Sequence, residues 1–405
     1  MLHLYTIIWY AVLPVIRLLS HFNPKWKAFF SSRNNFSLQQ NSTTKKTVIL
    51  HCASLGEYEQ TKIIARGLIS KNYYVIMSFF SHSAFDILPD NNNFYHQKVY
   101  APLDKPSEIC KFLDLLDPAL VIFVKYEFWY NWLHILGKRS IPFIFISVNL
   151  KNKEKYFKFP LRSLFVYTQK AAHFFVQNQK TKDLLIHNNY QSGKISIIGD
   201  NRVESIISDK ERKVSFLFLG NEQRKIFVYG SIYTEEMEMI RKNIDSFPTD
   251  LHLLFPHELN EANLKTIQNQ IEKPYALYNP SSREYVDNVI LFDQPGNLKH
   301  IYRYGTIAYI GGGFSRSIHN VLEALVHKCP VIIGPRHRGF AEIDELSHSD
   351  FIEIIDKKEN FPSSVNLLLS RIKEKKMNQE SLNDYFSRYD NSSLAVTEYA
   401  EKLLR

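Results

Sequence analysis

The run Thr306-Ile-Ala-Tyr-Ile310, followed at once by Gly311-Gly-Gly-Phe-Ser-Arg-Ser-Ile-His-Asn-Val-Leu-Glu323, constrains the fold more than any other stretch. Apolar and aromatic residues without polar alternation read as a strand buried on both faces. Three glycines then let the backbone turn sharply and come close to another group. Ile318, Val321, Leu322, Leu325 and Val326 recur at helical spacing, which predicts a helix from near Ser317. Lys328-Cys-Pro-Val-Ile-Ile-Gly-Pro335 is the next strand and turn, completing a βαβ unit whose ligand would sit at the strand C-termini. A helix start beneath a glycine turn presents backbone N–H groups and a positive dipole end, which suit a phosphate. The glycines lack the G-x-G-x-x-G spacing of dinucleotide enzymes, and a tight connection without any ligand is the plain alternative. His319, Asn320 and Glu323, crowded beside the turn, favour a nucleotide-like anion.

The same alternation runs through the chain. Strands are predicted at 47–51, 73–79, 98–100, 120–124, 143–148, 174–177 and 195–198, then at 226–229, 251–255, 289–292, 306–310 and 351–355. Helices are predicted at about 58–70, 106–116 and 127–136, with a long amphipathic one over 364–405 broken near Asp390. Strands alternating with helices argue doubly wound parallel sheets, and 405 residues are too many for one ordinary core. Two Rossmann-like domains are therefore expected, at 47–205 and 206–405, facing each other across a ligand cleft. The terminal helix is expected to pack back on the first domain.

Leu4 to Leu19 is nearly all apolar, interrupted by Pro14 and Arg17, and barely long enough to span a bilayer core. Lys25, Lys27 and Arg33 follow it rather than precede it, unlike a cleaved signal peptide. Residues 1–30 are expected to anchor the chain to a membrane, spanning slightly favoured over lying flat, with the rest in the cytoplasm. Trp26, Phe29 and Phe30 suit an interfacial belt, and 31–46 reads as a polar linker. A net charge of +9 favours anionic partners, and three scattered cysteines give neither a disulfide framework nor a zinc pattern. Without an Asp-x-Asp pair or a His/Cys cluster, no metal is implied.

Two carboxylates stand at strand ends. Glu57, in Ser54-Leu-Gly-Glu57, is either a base within reach of a hydroxyl or a stabiliser of its own helix start. Glu127, in Lys125-Tyr-Glu-Phe-Trp-Tyr-Asn131, is either desolvated by aromatic neighbours or held by Lys125 or the helix it caps. Lys151, Lys153, Lys155, Lys158 and Arg162, interleaved with Tyr156, Phe157, Phe159 and Leu161, suit lipid headgroups or a phosphorylated lipid, with a solvated loop as the alternative. His257 after a strand either meets a phosphate or base, or packs.

Taken in order, the N-terminal anchor, His51-Cys-Ala-Ser-Leu-Gly-Glu57, Lys125 to Asn131, Gly199-Asp-Asn-Arg202, Gly230-Ser-Ile-Tyr233, Pro256-His-Glu258, Gly311 to Glu323, Gly334-Pro335 and Phe340-Ala-Glu342 resemble the 3-deoxy-D-manno-octulosonic acid (Kdo) transferases of lipopolysaccharide core synthesis. The resemblance implies a GT-B fold, a CMP-Kdo donor, a lipid A precursor (lipid IVA) as acceptor at the cytoplasmic face of a bacterial inner membrane, and neither cofactor, metal nor nucleic acid. It implies an inverting reaction with Glu57 as the catalytic base and Glu127 as the second acidic residue. Ser54, Gly56 and the basic stretch would then face the acceptor. Gly311, Gly312, Gly313, His319, Asn320, Glu323, His257, Ser231 and Arg202 would face the donor. The family's Pro-Arg-His-Pro stretch is Pro256-His-Glu258 here, so a donor phosphate would need another arginine: Arg202, Arg316 or Arg336. Its Glu-Thr-Glu run begins with Lys125, and its Ser-Thr-His stretch is Ser231-Ile-Tyr233. The competing readings are a nucleotide-sugar 2-epimerase or UDP-sugar transferase of the same fold, and a non-catalytic membrane-bound binding protein.

Overall fold

The computed structural model describes the chain except residues 35–37, 39–42, 151–152, 213, 220–223 and 390. It divides into two compact units, residues 1–205 with 389–405, and residues 206–388.

The first unit is built on seven parallel strands: β1 (Thr47–Cys52), β2 (Tyr74–Phe79), β3 (Gln97–Tyr100), β4 (Pro118–Val124), β5 (Phe143–Val148), β6 (His173–Val176) and β7 (Ile195–Ile197). Their order is β3-β2-β1-β4-β5-β6-β7. β1 is buried at every position and pairs in register with β2 on one side and β4 on the other. A parallel sheet covered on both faces needs such unbroken apolar runs, which is why these strands were readable without alternation. The chain reverses its winding between β1 and β4, so the crevice above their C-terminal ends is where a doubly wound sheet holds ligands. The connection after β1 is two helices, α1 (Leu2–Leu19) and α2 (Pro24–Asn34) having come before it: α3 (Leu55–Glu59) and α4 (Lys62–Ser70) replace the single helix expected at 58–70. The break falls at Gln60 and Thr61, where the Thr61 hydroxyl turns back onto the Tyr58 carbonyl.

The long terminal helix of the sequence reading is three, Phe361–Lys373, Glu380–Ser387 and Ser392–Leu404. The last returns to the first unit, where Val396, Ala400 and Leu404 join the core on one face of the sheet. Asn201 and Glu204 bond its first residues, Ser392 and Ser393.

The second unit carries β8 (Ile226–Ile232), β9 (Leu251–Pro256), β10 (Ala276–Leu277), β11 (Val289–Leu291), β12 (Ile307–Ile310), β13 (Val331–Ile333) and β14 (Ile352–Ile354), all parallel, in the order β10-β11-β9-β8-β12-β13-β14. Winding reverses between β8 and β12. The two-residue β10 escaped the sequence reading because a strand that short carries no periodic signal.

The N-terminal helix α1 has one docked face. Tyr5 donates its hydroxyl to Asp104 at 2.7 Å and stacks edge-on with Tyr130, Thr6 donates to Asn131 at 2.7 Å, Trp9 meets Trp129, and Leu13 is buried. Asp104 is buried and also accepts the N–H groups of Asn131 and Trp132, so one carboxylate caps the helix Tyr130–Lys138 and latches α1 to it. On the other face Leu4, Ile7, Ile8, Val12, Val15 and Leu18 are exposed.

Candidate active site and its relatives

Above β1 and β4 the two acidic residues come together. Lys125 leaves β4 with a positive φ of 55°, which swings Tyr126 and Glu127 over the sheet before the helix Tyr130–Lys138 begins. Glu127 therefore precedes that helix instead of lying in it, as the apolar spacing had suggested. Its Oε2 accepts Trp129 Nε1 at 2.7 Å and lies 3.2 Å from His51 Nε2. His51 is fully buried on β1, packed edge-on against Trp132 and Phe123, and its Nδ1 is 3.2 Å from the Ser78 hydroxyl. Glu127 is thus oriented from two sides by groups that cannot move.

Glu57 reaches back from α3 to accept the Ala53 N–H at 2.5 Å, the contact of a residue that stabilises its own helix start. That reading is correct as far as one oxygen goes. Burial first, then repulsion from Glu127, raises its pKa above the ordinary carboxylate range, against the pull of the Ala53 N–H, His51 and Lys125. Gly56 just before it has a negative φ, and a Cβ there would meet only the Ser54 hydroxyl at 4.0 Å. Neither backbone nor packing demands a glycine at 56, and Ser54 and Gly56 are both exposed.

Arg202 lies in this first unit, locked to Asp200 by bonds of 2.9 and 2.8 Å. Burial pulls the Asp200 carboxyl up, but Arg202 and Lys125 outweigh it and hold it below its usual range. This ion pair and Lys125 bring cations to the same sheet edge as Glu57 and Glu127. In the basic stretch, Tyr156 stacks on Phe165 and Phe157 packs edge-on to it, so these aromatics serve the core. Lys153 sits over Tyr126, while Lys155, Lys158, Phe159 and Arg162 are exposed; Lys151 lies outside the described residues.

Above β8 and β12 the glycine turn is also real, but its chemistry differs from the expectation. The helix after it is only Leu322–Leu325; just before it, Asn320 Oδ1 takes the Leu322 N–H at 3.1 Å and its amide donates to Glu323 at 3.0 Å. Residues 311–315 form a turn and 317–320 are irregular, the N–H groups of Ser315, Arg316 and His319 bonding back to the Gly312 and Gly311 carbonyls. One turn of helix carries little dipole, so the helix predicted from near Ser317 contributes little to an anion here. The Gly311 N–H goes to the Gly230 carbonyl and the Gly312 N–H to Glu236 at 2.9 Å. Glu236, fully buried, also accepts the Tyr233 N–H and the Tyr309 hydroxyl. A carboxylate of the protein occupies the donors that a ligand phosphate was expected to use.

The glycines answer to packing. Added Cβ atoms at Gly311, Gly312 and Gly313 would lie 2.3, 2.1 and 2.5 Å from backbone atoms of Ser231, Ser317 and Gly334. Sequence reasoning missed Glu236; the signal that could have found it is the acidic pair Glu235-Glu236, three and four residues past the end of β8.

What the second unit does present is a side-chain stack. His257 and His319 rings stack at 4.1 Å, Tyr233 lies against both, its hydroxyl 3.2 Å from His319 Nε2, and the exposed Arg316 covers Tyr233 while standing 3.6 Å from Glu258. Burial pushes His319 down to about 4 and lowers His257 as well, so both are neutral near pH 7. With the histidines neutral, Arg316 is the cation beside this stack and Lys358 stands over Phe314 of the glycine loop. Ser231, at φ 54°, sits at the same strand end, and Arg336 is tied to Ser315.

Residues 25–205 match the family model described as 3-Deoxy-D-manno-octulosonic-acid transferase (kdotransferase). Curated relatives named 3-deoxy-D-manno-octulosonic acid transferase include those of Haemophilus influenzae, 27% identical over 82% of this chain and 81% of the relative, and Aquifex aeolicus, 25% identical over 85% and 92%. A bifunctional glycosyltransferase/methyltransferase of Fusobacterium nucleatum is 24% identical over 89% of this chain, which spans 58% of that longer protein. Among solved structures, UDP-GlcNAc 2-epimerase from Neisseria meningitidis superposes with a TM-score of 0.61 at 15% identity, covering 88% of this chain and all of the other. A glycosyltransferase from Rickettsia africae gives 0.56 at 11%, over 90% and 100%. These likenesses establish the GT-B fold and no more. The family match to residues 25–205, with relatives at 25–27% identity that run through both units, makes this chain similar to the Kdo transferases, a family of glycosyltransferases.

Proposed function

We propose that the chain transfers Kdo from CMP-Kdo to a hydroxyl of a lipid A precursor, with Glu57 as general base. The observation that carries this is the Glu57–Glu127 pair above β1 and β4, beside a glycine that nothing in the protein requires. Glu57 takes the proton of the acceptor hydroxyl as its oxygen attacks the anomeric carbon of Kdo from the face opposite CMP. The C–O bond to the phosphate breaks and CMP leaves with the electron pair. A base whose pKa is raised toward neutrality is better matched to an alcohol than an ordinary carboxylate. Glu127, held by His51 and Trp129, supplies the negative charge that keeps Glu57 basic. Gly56 leaves room for the acceptor, and Lys153, Lys155, Lys158 and Arg162 suit its phosphates.

On the donor side, Ser231, His257, His319 and Arg316 at the strand ends of the second unit suit CMP, with Asn320 and Glu323 behind them. Gly311, Gly312 and Gly313 act by allowing that loop to close on Glu236. Developing charge on the departing phosphate is met by arginine.

The exposed apolar face of α1 supports attachment to the cytoplasmic side of an inner membrane. Because its opposite face is docked through Tyr5, Thr6 and Trp9, we read α1 as lying in the interface rather than crossing. Mass spectrometry of a tetra-acylated lipid A precursor, incubated with purified protein, CMP-Kdo and EDTA, tests the reading. A gain of one or more Kdo units is expected. No gain with folded protein, together with thermal stabilisation by UDP and not CMP, would replace it with a UDP-dependent activity.

A further inference from the structure

A cavity of about 620 Å³ opens in the first unit where the C-terminal half of α1, α2 and the turn after β3 meet. It lies outside the residues assigned to transfer. Its polar lining is unbalanced: Arg17, Arg33, Lys105 and Lys111 against the single carboxylate of Glu108, which is 3.4 Å from Lys105. The remaining walls are apolar, among them Leu13, Pro14, Phe30 and Phe112.

Arg33 is the unusual member. Its guanidinium lies over Phe29 at 3.9 Å, Tyr100 at 4.8 Å and Phe80 at 5.0 Å. One amino group donates to the Phe80 carbonyl at 2.7 Å, while Nε and the other amino group are shielded from water with no hydrogen-bond partner. Burial pushes its pKa down to about 10, so it stays charged near neutrality. Its unpaired nitrogens are shielded, so Arg33 acts on an anion in the cavity through its charge, alongside Arg17, Lys105 and Lys111 of the same lining. The sequence reading took Arg33 as one of the loose cations following the anchor; the fold instead encloses it.

We propose that this cavity holds the phosphodiester headgroup of an anionic membrane phospholipid, its acyl chains running out along the exposed apolar face of α1. Charge complementarity selects the anion, and the apolar walls continuous with Leu13 and Pro14 select a lipid over a free phosphate. The bound lipid fixes the depth at which α1 sits. The path of the chains rests on the interfacial reading of α1; the headgroup site does not rest on the transfer reaction.

Native mass spectrometry of the full chain, released from detergent micelles titrated with phosphatidylglycerol, reads the site without any turnover. One phosphatidylglycerol should be retained, and phosphatidylcholine retained about tenfold less well. Arg33→Gln and Lys111→Glu should each weaken retention about fivefold to tenfold. Lys111 is exposed, so its variant folds whether or not Arg33→Gln does. Retention unchanged in Lys111→Glu, or equal for the two lipids, overturns the proposal. Displacement by inorganic phosphate would make this a free-phosphate site, and stoichiometric displacement by the lipid A precursor would make it part of the acceptor site. Either result also overturns it. A transfer assay that fails for other reasons leaves the lipid mass on the protein unaffected.

Discussion

Each unit reverses its winding beside a glycine-bearing turn and a glutamate, yet the two places do opposite things. Above β8 and β12, Glu236 is fully buried, and backbone N–H groups and a tyrosine hydroxyl saturate it. The glycines there are required by backbone atoms within 2.1 to 2.5 Å. Above β1 and β4, Glu57 holds one N–H, faces a second carboxylate and has a neighbouring glycine with open space around it. A glycine that the protein needs for itself says little about a ligand. One that the protein does not need leaves its open space to whatever binds there.

That contrast can be broken in four ways. Glu57→Gln should lower kcat by about 10²–10⁴-fold, the range of general-base catalysis, with CMP-Kdo binding and thermal stability nearly unchanged. A stability loss in place of a rate loss would make Glu57 a second Glu236. Gly312→Ala, at φ 92° and with its Cβ 2.1 Å from the Ser317 carbonyl oxygen, should destabilise the second unit by about 3 kcal/mol or more, seen as a lower Tm. Gly56→Ala should change stability by less than about 1 kcal/mol while cutting kcat/KM about tenfold or more. Full activity in that variant would remove the argument from open space. Asp104→Asn should cost about 1–2 kcal/mol and loosen α1, read by proteolysis near residue 20.

The pH dependence sharpens the same comparison. Glu57 must be ionised to act as a base, and its raised pKa puts the acid limb of kcat/KM above the ordinary carboxylate range. Glu127→Gln removes the repulsion, lowers the pKa of Glu57 and should move that limb to lower pH. An unmoved limb would show that Glu127 does not act through Glu57. For stability the sign is the reverse of an ion-paired carboxylate. The folded Glu57 keeps its proton to higher pH than the unfolded chain, so its stabilising contribution is lost as pH rises through the window between the two values.

Much of the fold was legible because the central parallel strands, buried on both faces, are nearly continuous apolar runs, as in β4 and β5, whereas the edge strands β3, β7 and β14 carry polar residues and β10 gave no signal. Helix starts were less so. Glu127 and Ser317 stand where apolar spacing continues into a turn: Lys125 bonds to the distant Ile146 carbonyl, and after the glycines Ser315, Arg316 and His319 bond back to Gly312 and Gly311. The site was legible where a carboxylate follows a strand, as at Glu57. It was hidden where the partner comes from another strand, as with His51 for Glu127 and Glu236 for Gly312. The helix predicted from near Ser317 failed because periodicity registers apolar positions and not where each N–H is spent.

The return of Ser392–Leu404 to the first sheet bears on how the protein is made. Tyr399 donates to the Ala172 carbonyl 227 positions away, and Lys46 reaches the Leu404 carbonyl across 358. On the ribosome, the first unit has its strands long before it has this helix, and Val48, Leu68 and Leu120 wait with an open groove until residues 389–405 emerge. The whole second unit is synthesised inside that interval. The first unit is therefore begun first and completed only after the second has been synthesised, with that groove open throughout the interval.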